Sequence, residues 1–185
     1  MDVLEAIEKR RSIGSVSMEP VAREDIQKIL EAGNKAPNHY KIRPWRFTVI
    51  QGSALEGFAK AHVDSFLLKF PEATAEQQEI ERKKGLRAPL VISVTSKLPD
   101  AEKYVDLENI SATAAACQNM LLASTGLGYA SFWRTTMYVK DAFLRRYLGV
   151  GDHEHLIAVL FIGKAIPSEV EPVERPNVED RVNWY

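Results

Sequence analysis

Two short and largely apolar runs constrain the fold of this chain more than any other feature of its sequence. Residues 89–96 (Pro-Leu-Val-Ile-Ser-Val-Thr-Ser) and 156–162 (Leu-Ile-Ala-Val-Leu-Phe-Ile) are rich in β-branched residues. Runs of this kind are typical of strands buried on both faces of a sheet. Helical patterns alternate with them along the chain, so we predict an α+β or α/β sandwich.

Periodic patterns predict the other elements. Helices are expected where apolar residues recur every three to four positions or where small residues follow one another, and strands where aromatic and β-branched residues alternate. The predicted helices are a short one from Val3 to near Arg10, 23–32, 53–70, 102–125 and 140–148, and the further predicted strands are 45–51 and 129–133.

Several details of these elements are also predicted. Gly33 is expected to stop the second helix, and Ser53 to cap the third. Phe143, Leu144 and Tyr147 are expected to point inward. The charged segment 71–87 is interpreted as an exposed helix or a mobile cover. The tail after Pro167 lacks apolar periodicity up to its last two residues, so it either lies across a neighbouring surface, a partner subunit among the options, or stays loose.

Composition excludes several classes of protein. The chain has 185 residues, 45% hydrophobic and 26% charged, which is ordinary for one soluble domain. Its formal net charge of −1 gives no general attraction to nucleic acid or to an anionic membrane. The single cysteine excludes an internal disulfide, and neither a signal peptide nor a spanning apolar run is recognised. We therefore expect a cytoplasmic protein without nucleic-acid or membrane partners.

Three segments combine cations with small polar groups and stiff or aromatic neighbours. Arg10-Arg11-Ser12 follows the first helix, and arginine offers a fixed fork of donors that suits phosphate. Residues 36–45 (Ala-Pro-Asn-His-Tyr-Lys-Ile-Arg-Pro-Trp) form a loop stiffened by two prolines. Residues 132–136 (Phe-Trp-Arg-Thr-Thr) place an aromatic ring beside an arginine and hydroxyls. Taken singly, each segment also fits a plain interpretation as a solvated helix end, an ordinary connection, or a core tryptophan beside a surface arginine.

Other polar residues are not assigned to a site. Residues 152–155 (Asp-His-Glu-His) lack supporting ligands elsewhere, so no metal site is predicted. Cys117 lies among small helical residues and is expected to act as a buried hydrophobe. His62 is expected on the surface of its helix.

Together, the three segments resemble those of the nitroreductase family of flavin mononucleotide (FMN) enzymes, most closely its small, compact bacterial members. The resemblance runs nearly end to end. It also covers the small-residue helix 102–125 and the last strand with Gly163-Lys164.

The resemblance implies a fold, an assembly and a site. The fold would be α+β, the nitroreductase-like α/β/α sandwich with a central mixed, mainly antiparallel sheet, as one flavin-binding domain over residues 1–185. The assembly would be a homodimer with FMN at the subunit interface. The residues implied to bind the cofactor are Arg10, Arg11 and Ser12 from one subunit, Lys35, Asn38 and His39 from the other, and Trp133, Arg134 and Thr135. Lys164 or Arg175 is a looser match for a phosphate contact.

The chain departs from the family pattern in two places. Many relatives carry a basic residue two or three positions after the serine, where this chain has Gly14 and Ser15. Relatives also often read Asn-x-Gln-Pro-Trp, where this chain has Lys-Ile-Arg-Pro-Trp at residues 41–45. The cation that faces N1 and O2 of the flavin is therefore open between Lys35, Lys41, Arg43 and Arg134.

The implied activity is hydride transfer from NADH or NADPH through FMN to nitroaromatic, quinone or similar acceptors by a ping-pong mechanism. No catalytic side chain is expected, because the cofactor carries the chemistry. The chain lacks a Gly-x-Gly-x-x-Gly motif after a strand, which agrees with a single shared pocket. Two other classes remain open: a flavin-binding carrier or sensor without appreciable turnover, and an interaction domain whose basic loop binds another phosphate ligand.

Overall fold

A central antiparallel sheet runs through the molecule. The computed structural model describes residues 1–99, 101, 105–135, 141–167 and 175–185. The strands are β1 (Trp45–Gln51), β2 (Leu90–Lys97), β3 (Ala130–Arg134) and β4 (Glu154–Gly163), in the order β1-β2-β4-β3. All neighbouring strands pair antiparallel, and the parallel pairing found in the described ranges is one bridge between Ser12 and Ser131. The predicted mainly antiparallel sheet is confirmed.

Helices surround this sheet. Two single 3-10 turns, His39–Lys41 and Val178–Arg181, accompany them. The α-helices are α1 (Val3–Lys9), α2 (Arg23–Asn34), α3 (Ala54–Lys69), α4 (Ala75–Gly85), α5 (Asp106–Gly126) and α6 (Ala142–Tyr147). Parts of four predicted segments lie outside the described residues, namely 102–104 in the long helix, Thr136 in the segment 132–136, Lys140 in the helix 140–148, and 168–174 in the tail.

The core lies on both faces of the sheet, because neighbouring residues of a strand point to opposite sides. In β4, Phe161 packs with Phe58 of α3 on one face. Leu160 packs with Ile29 of α2 and Met120 of α5 on the other. The fold is therefore the predicted α/β/α sandwich.

The two apolar runs form the middle of the sheet, as predicted. Residues 90–96 of β2 are all buried, and β4 lies between β2 and β3. Each Leu or Ile that is fully buried in such a strand stabilises the fold by about 1.5–3 kcal/mol. β1 and β3 form the two edges of the sheet.

Two pairs of helices, α2 with α5 and α3 with α4, pack closely at a glycine. A Cβ atom on Gly33 would lie 2.8 Å from Cγ of Met120, and one on Gly85 would lie 2.8 Å from Cα of Ala59. The prediction that Gly33 stops α2 is wrong, because α2 continues to Asn34 and Gly33 is buried inside it. Gly33 serves the packing of α2 on α5 instead.

Three further predictions at the α3, α4 and α6 helices are resolved. Segment 71–87 contains α4 (Ala75–Gly85), which begins with a capping box at Thr74 and packs on α3. Ser53 precedes α3, but its side chain makes no capping hydrogen bond. Leu144 is fully buried as predicted, whereas Phe143 is 42% exposed, because the short helix α6 turns only one edge toward the core.

Candidate functional site

The end of α1 gathers three arginines around one cavity. Arg10 is the C-cap residue of α1, and Arg11 follows it. The guanidinium of Arg11 donates to the backbone oxygens of Glu8 and Arg10, which holds this arginine against the helix end. The cavity has a volume of about 350 Å³. Its lining residues are Ile7, Glu8, Arg10, Arg11, Gln118 and Arg175.

Ser12 attaches this segment to the sheet. It forms a bridge to Ser131 of β3, and the backbone N–H of Ile13 donates to the oxygen of Ser131 over 3.1 Å. These contacts place Ser12 and Ile13 beside β3 at the edge of the sheet. Of the two residues matched loosely to phosphate, Arg175 lies at this cavity, whereas Lys164 pairs with Glu19 at 2.5 Å.

The loop between α2 and β1 is held in an unusual backbone conformation. Tyr40, Lys41 and Arg43 all have positive φ angles, between 51° and 56°. For residues with a side chain, this conformation costs about 1–3 kcal/mol each. The side-chain oxygen of Asn38 accepts a hydrogen bond from the backbone N–H of Arg43 over 2.8 Å, which ties the loop to itself.

His39 connects this loop to α5. Its Nδ1 lies 3.0 Å from Oε2 of Glu108, and its ring stacks on that of Tyr40 at a centroid distance of 4.0 Å. A second cavity, of about 410 Å³, opens here. Its lining residues are Pro37, Asn38, His39, Glu108, Ser111, Ala112 and Ala115. Lys35, the C-cap residue of α2, is exposed two positions before Pro37.

The first two predicted segments therefore line two separate cavities in the described part of the chain. Both cavities open along α5, one at Ser111 and one at Gln118. Seven residues of a helix separate them, which is about 10 Å along its axis. Glu108, Ser111 and Gln118 were not predicted from the sequence. The spacing of Ser111 and Gln118, at i and i+7 on one face of α5, is the signal that could have found the last two.

The third segment is divided between the two faces of the sheet. Trp133 packs against the core cluster that contains Leu160 and Met120. Arg134 points to the other face, where it lines a small cavity with Phe58 and His62. Thr135 follows the strand and is exposed. The alternation of side chains along β3 separates Trp133 from Arg134.

His62 is the clearest error of the sequence analysis. It was predicted to lie on the surface, but it is 2% exposed, and its Nδ1 lies 2.8 Å from Oε1 of the equally buried Glu81 of α4. Burial is the main cause that lowers the pKa of His62 to about 4. The nearby charges of Arg134, Lys84 and Arg87 lower it further, and Glu81 opposes them. The pairing could not be foreseen, because it joins two helices whose packing the sequence does not reveal.

The remaining polar residues are settled more simply. Cys117 is fully buried, as predicted, and burial raises the pKa of its thiol to about 12. Nε2 of His155 lies 2.9 Å from Oδ2 of Asp106. In the ranges that the structure describes, no cluster of three His, Cys, Asp or Glu residues could hold a metal ion. No helix in those ranges has the length and apolar character needed to cross a membrane.

Comparison with known proteins identifies the family to which these features belong. A sequence profile of the nitroreductase family matches residues 7–164. The chain belongs to the nitroreductase family. The match spans Arg10-Arg11-Ser12, the loop 36–45 and Trp133-Arg134-Thr135, whereas Arg175 lies beyond it.

Individual nitroreductase relatives agree with this assignment. The chain is 27% identical over 165 residues to YdjA of Escherichia coli K12, a candidate NAD(P)H nitroreductase, and the alignment covers 88% of both chains. A nitroreductase-like family protein from Bacillus cereus has a TM-score of 0.88 at 20% identity, covering 100% of this chain and 96% of that one. NfnB of Sphigopyxis sp. strain HMH, described as an FMN- and NADPH-dependent nitroreductase, has a TM-score of 0.80 at 19% identity, covering 100% of this chain and 99% of that one. The two structural likenesses establish the nitroreductase fold.

Proposed function

We propose that this protein is an FMN-dependent NAD(P)H oxidoreductase whose flavin lies between two copies of the chain. The observation that carries the proposal is the cavity at the end of α1, where Arg10, Arg11 and Arg175 supply three guanidinium groups. Guanidinium groups donate paired hydrogen bonds that match the oxygens of phosphate. The cavity therefore fits the phosphate of FMN.

The flavin ring needs a second set of walls, and the cavity beside His39 provides it. This cavity lies about 10 Å further along α5 than the cavity at the end of α1. One chain therefore presents two separate half-sites: a phosphate half, which is the cavity at the end of α1, and a ring half, which is the cavity beside His39. In a dimer with twofold symmetry, the same patch of each chain faces the other. If the two α5 helices cross, the phosphate half of one chain can face the ring half of its partner, which gives two equivalent sites.

An exposed apolar surface supports this dimer. The α1–α5 face consists of Val3, Leu4 and Ile7 of α1 with Leu107 and Ala115 of α5. Val3, Leu4 and Leu107 are 65%, 73% and 69% exposed, and α1 packs beside α5. An exposed apolar patch of this kind marks a site of association. Its residue Ile7 lines the cavity at the end of α1, and its residue Ala115 lines the cavity beside His39.

Individual residues take the roles that the family pattern assigns to them. Ser12, fixed on β3, supplies a hydroxyl at the ring edge. The contact of Nδ1 of His39 with Glu108 leaves its Nε2 available to a ligand. Arg43 lines a different cavity, with Glu31 and Arg46, and Arg134 lies beneath α3. Lys35 and Lys41 are thus the cations that we propose for the N1 and O2 edge of the flavin.

Bound FMN would accept hydride from NADH or NADPH and pass it to a nitroaromatic, quinone or similar acceptor in a ping-pong sequence. The chain's own residues would bind and orient the cofactor. We propose that residues 1–185 act as one flavin-binding domain and that the protein works in the cytoplasm, where its buried cysteine stays reduced.

The proposal is tested by absorbance and turnover. The purified protein, incubated with FMN and freed of unbound cofactor, should be yellow and should lose its colour when NADH or NADPH is added. Steady oxidation of NAD(P)H with a quinone acceptor is then expected. Bound flavin without turnover would favour a carrier or sensor, and a protein that stays colourless after incubation would reject the flavin assignment.

A further inference from the structure

A histidine and a glutamate are paired at the cavity that the proposed function assigns to the flavin ring. Nδ1 of His39 lies 3.0 Å from Oε2 of Glu108, and each side chain is about half exposed. Glu108 lies in the first turn of α5, where the helix dipole stabilises negative charge. The imidazole also stacks on the ring of Tyr40, with the planes at 23°. The ring of His39 is therefore oriented by a polar contact at Nδ1 and by a stacked neighbour.

The contact with Glu108 determines which nitrogen of His39 can meet a ligand. A carboxylate only accepts hydrogen bonds, so a proton on Nδ1 is directed to Glu108 in both charge states of the imidazole. In the imidazolium, Nε2 carries the second proton, on the side of the ring away from Nδ1. Nε2 can therefore give a proton to a molecule in the cavity and regain one from water, while Nδ1 stays bonded to Glu108.

Reduction of a quinone, one of the proposed acceptors, needs such a donor. A hydride brings two electrons and one hydrogen, so the product is a hydroquinone anion that still lacks a proton. Among the described residues that line this cavity, His39 and Glu108 have titratable side chains. Histidine is the residue most often used for proton transfer in catalysis. Lys35 and Lys41 flank the loop in sequence, but an ammonium group is a weaker acid than an imidazolium.

We propose that His39 is a catalytic residue whose imidazolium donates its Nε2 proton to the reduced quinone, and that Glu108 is the positioning residue that orients it. The O–H bond of the hydroquinone forms as the Nε2–H bond breaks, and the electron pair of that bond stays on Nε2. Water then returns a proton to Nε2. Over one cycle NAD(P)H is oxidised, the quinone is reduced, and one proton is taken from solvent. The inference rests on the proposed function, because bound flavin must supply the hydride.

The test compares two acceptors in the flavin-loaded protein. Ferricyanide takes up an electron without a proton, whereas a quinone needs both. Stopped-flow absorbance measures how fast each acceptor reoxidises the NADH-reduced protein. In His39→Gln with saturating FMN, reoxidation by the quinone should slow roughly 100-fold, the lower end of what general acid–base catalysis contributes. Reoxidation by ferricyanide should stay close to wild type. Equal losses with both acceptors, or no loss with the quinone, would overturn the role of His39.

The matched control is His155→Gln. His155 is also about half exposed and also meets a carboxylate in the first turn of α5, since its Nε2 lies 2.9 Å from Oδ2 of Asp106. It lies on β4, outside the set of residues that line the cavity beside His39. This variant should react with both acceptors like wild type. A loss with the quinone equal to that of His39→Gln would show a general disturbance of α5 and would overturn proton donation by His39.

A second measurement needs no flavin and tests Glu108. Nitrogen-15 NMR of the apo protein, at a pH where the imidazole of His39 is neutral, should place its proton on Nδ1. Glu108→Ala should remove this preference, and the folded, flavin-loaded variant should lose more rate with the quinone than with ferricyanide. A proton on Nε2 in wild type would contradict the positioning role of Glu108.

The outcomes separate this inference from the proposed function. If wild type binds no FMN, the proposed function fails and proton donation by His39 fails with it. If wild type binds FMN and reduces a quinone, but His39→Gln is reoxidised by the quinone as fast as wild type, the proposed function stands and proton donation by His39 alone fails.

Discussion

Replacing Arg10 and Arg11 together by alanine is expected to abolish FMN binding. Each guanidinium would donate to phosphate oxygens, and hydrogen bonds to a charged group contribute about 1.5–3 kcal/mol each. Loss of one arginine should therefore raise the FMN dissociation constant roughly 10- to 150-fold, and loss of both by the product of the two factors if they act independently. Quenching of FMN fluorescence on binding measures the constant directly.

The two single variants separate binding from local stability. Arg11 donates to the backbone oxygens of Glu8 and Arg10, so Arg11→Ala also loosens the end of α1 and should lower the melting temperature slightly. Arg10→Ala should lower the affinity for FMN without lowering the melting temperature. Arg23→Ala, an exposed arginine at the start of α2, is the control and should bind FMN like wild type. Unchanged FMN affinity in the double variant would show that the phosphate does not bind in this cavity.

Replacing Leu107 by aspartate is expected to split the dimer and to remove FMN with it. Leu107 is 69% exposed in the single chain and belongs to the α1–α5 face. An unpaired carboxylate buried in an interface costs several kcal/mol, and twofold symmetry introduces it twice. The dimer dissociation constant should rise at least about 100-fold. Analytical ultracentrifugation with and without FMN would measure both effects.

The control for this variant is Leu68→Asp. Leu68 is 59% exposed on α3, outside the proposed interface, so the charge should remain in water. This variant should stay dimeric and bind FMN. If Leu107→Asp remains a dimer that binds FMN, the α1–α5 face is not the interface.

Much of the sheet was predictable, because its residues favour strands locally and their apolar side chains also suit the positions that the strands take in the fold. β1 runs from Trp45 to Gln51 as predicted, since its aromatic and β-branched residues favour a strand and Pro44 can precede one. The apolar runs that form β2 and β4 could be placed in few positions other than the buried middle of the sheet. The small residues Ala112 and Ala116 of α5 pack with Ala36 and Trp45.

The errors arose where contacts between distant segments decide the outcome. Glycine commonly ends helices, so Gly33 was expected to stop α2. It is needed within the helix instead, because a side chain at this position would collide with Met120, 87 residues away. His62 has no local reason to be buried until Glu81 packs against it. No single-sequence pattern contains either contact.

The candidate site was predictable only in part. The resemblance selected Arg10, Arg11 and Ser12 and matched Arg175 loosely to the phosphate; the structure places Arg175 beside the two arginines and adds Gln118. Trp133 and Arg134 were expected on one wall, although the alternation of a strand already separates them. The pairing of the two half-sites across a dimer cannot be derived from one chain.

A heterodimer of two defective chains tests the shared site most directly. One chain carries Arg10→Ala and Arg11→Ala, and the other carries Lys35→Ala and His39→Ala, with different affinity tags so that the mixed dimer can be purified. Either homodimer should fail to bind FMN. If each site takes Arg10 and Arg11 from one chain and Lys35 and His39 from the other, the mixed dimer contains one wholly intact site and should bind one FMN. If each site lies within one chain, both sites of the mixed dimer remain defective, and no recovery of binding would contradict the account.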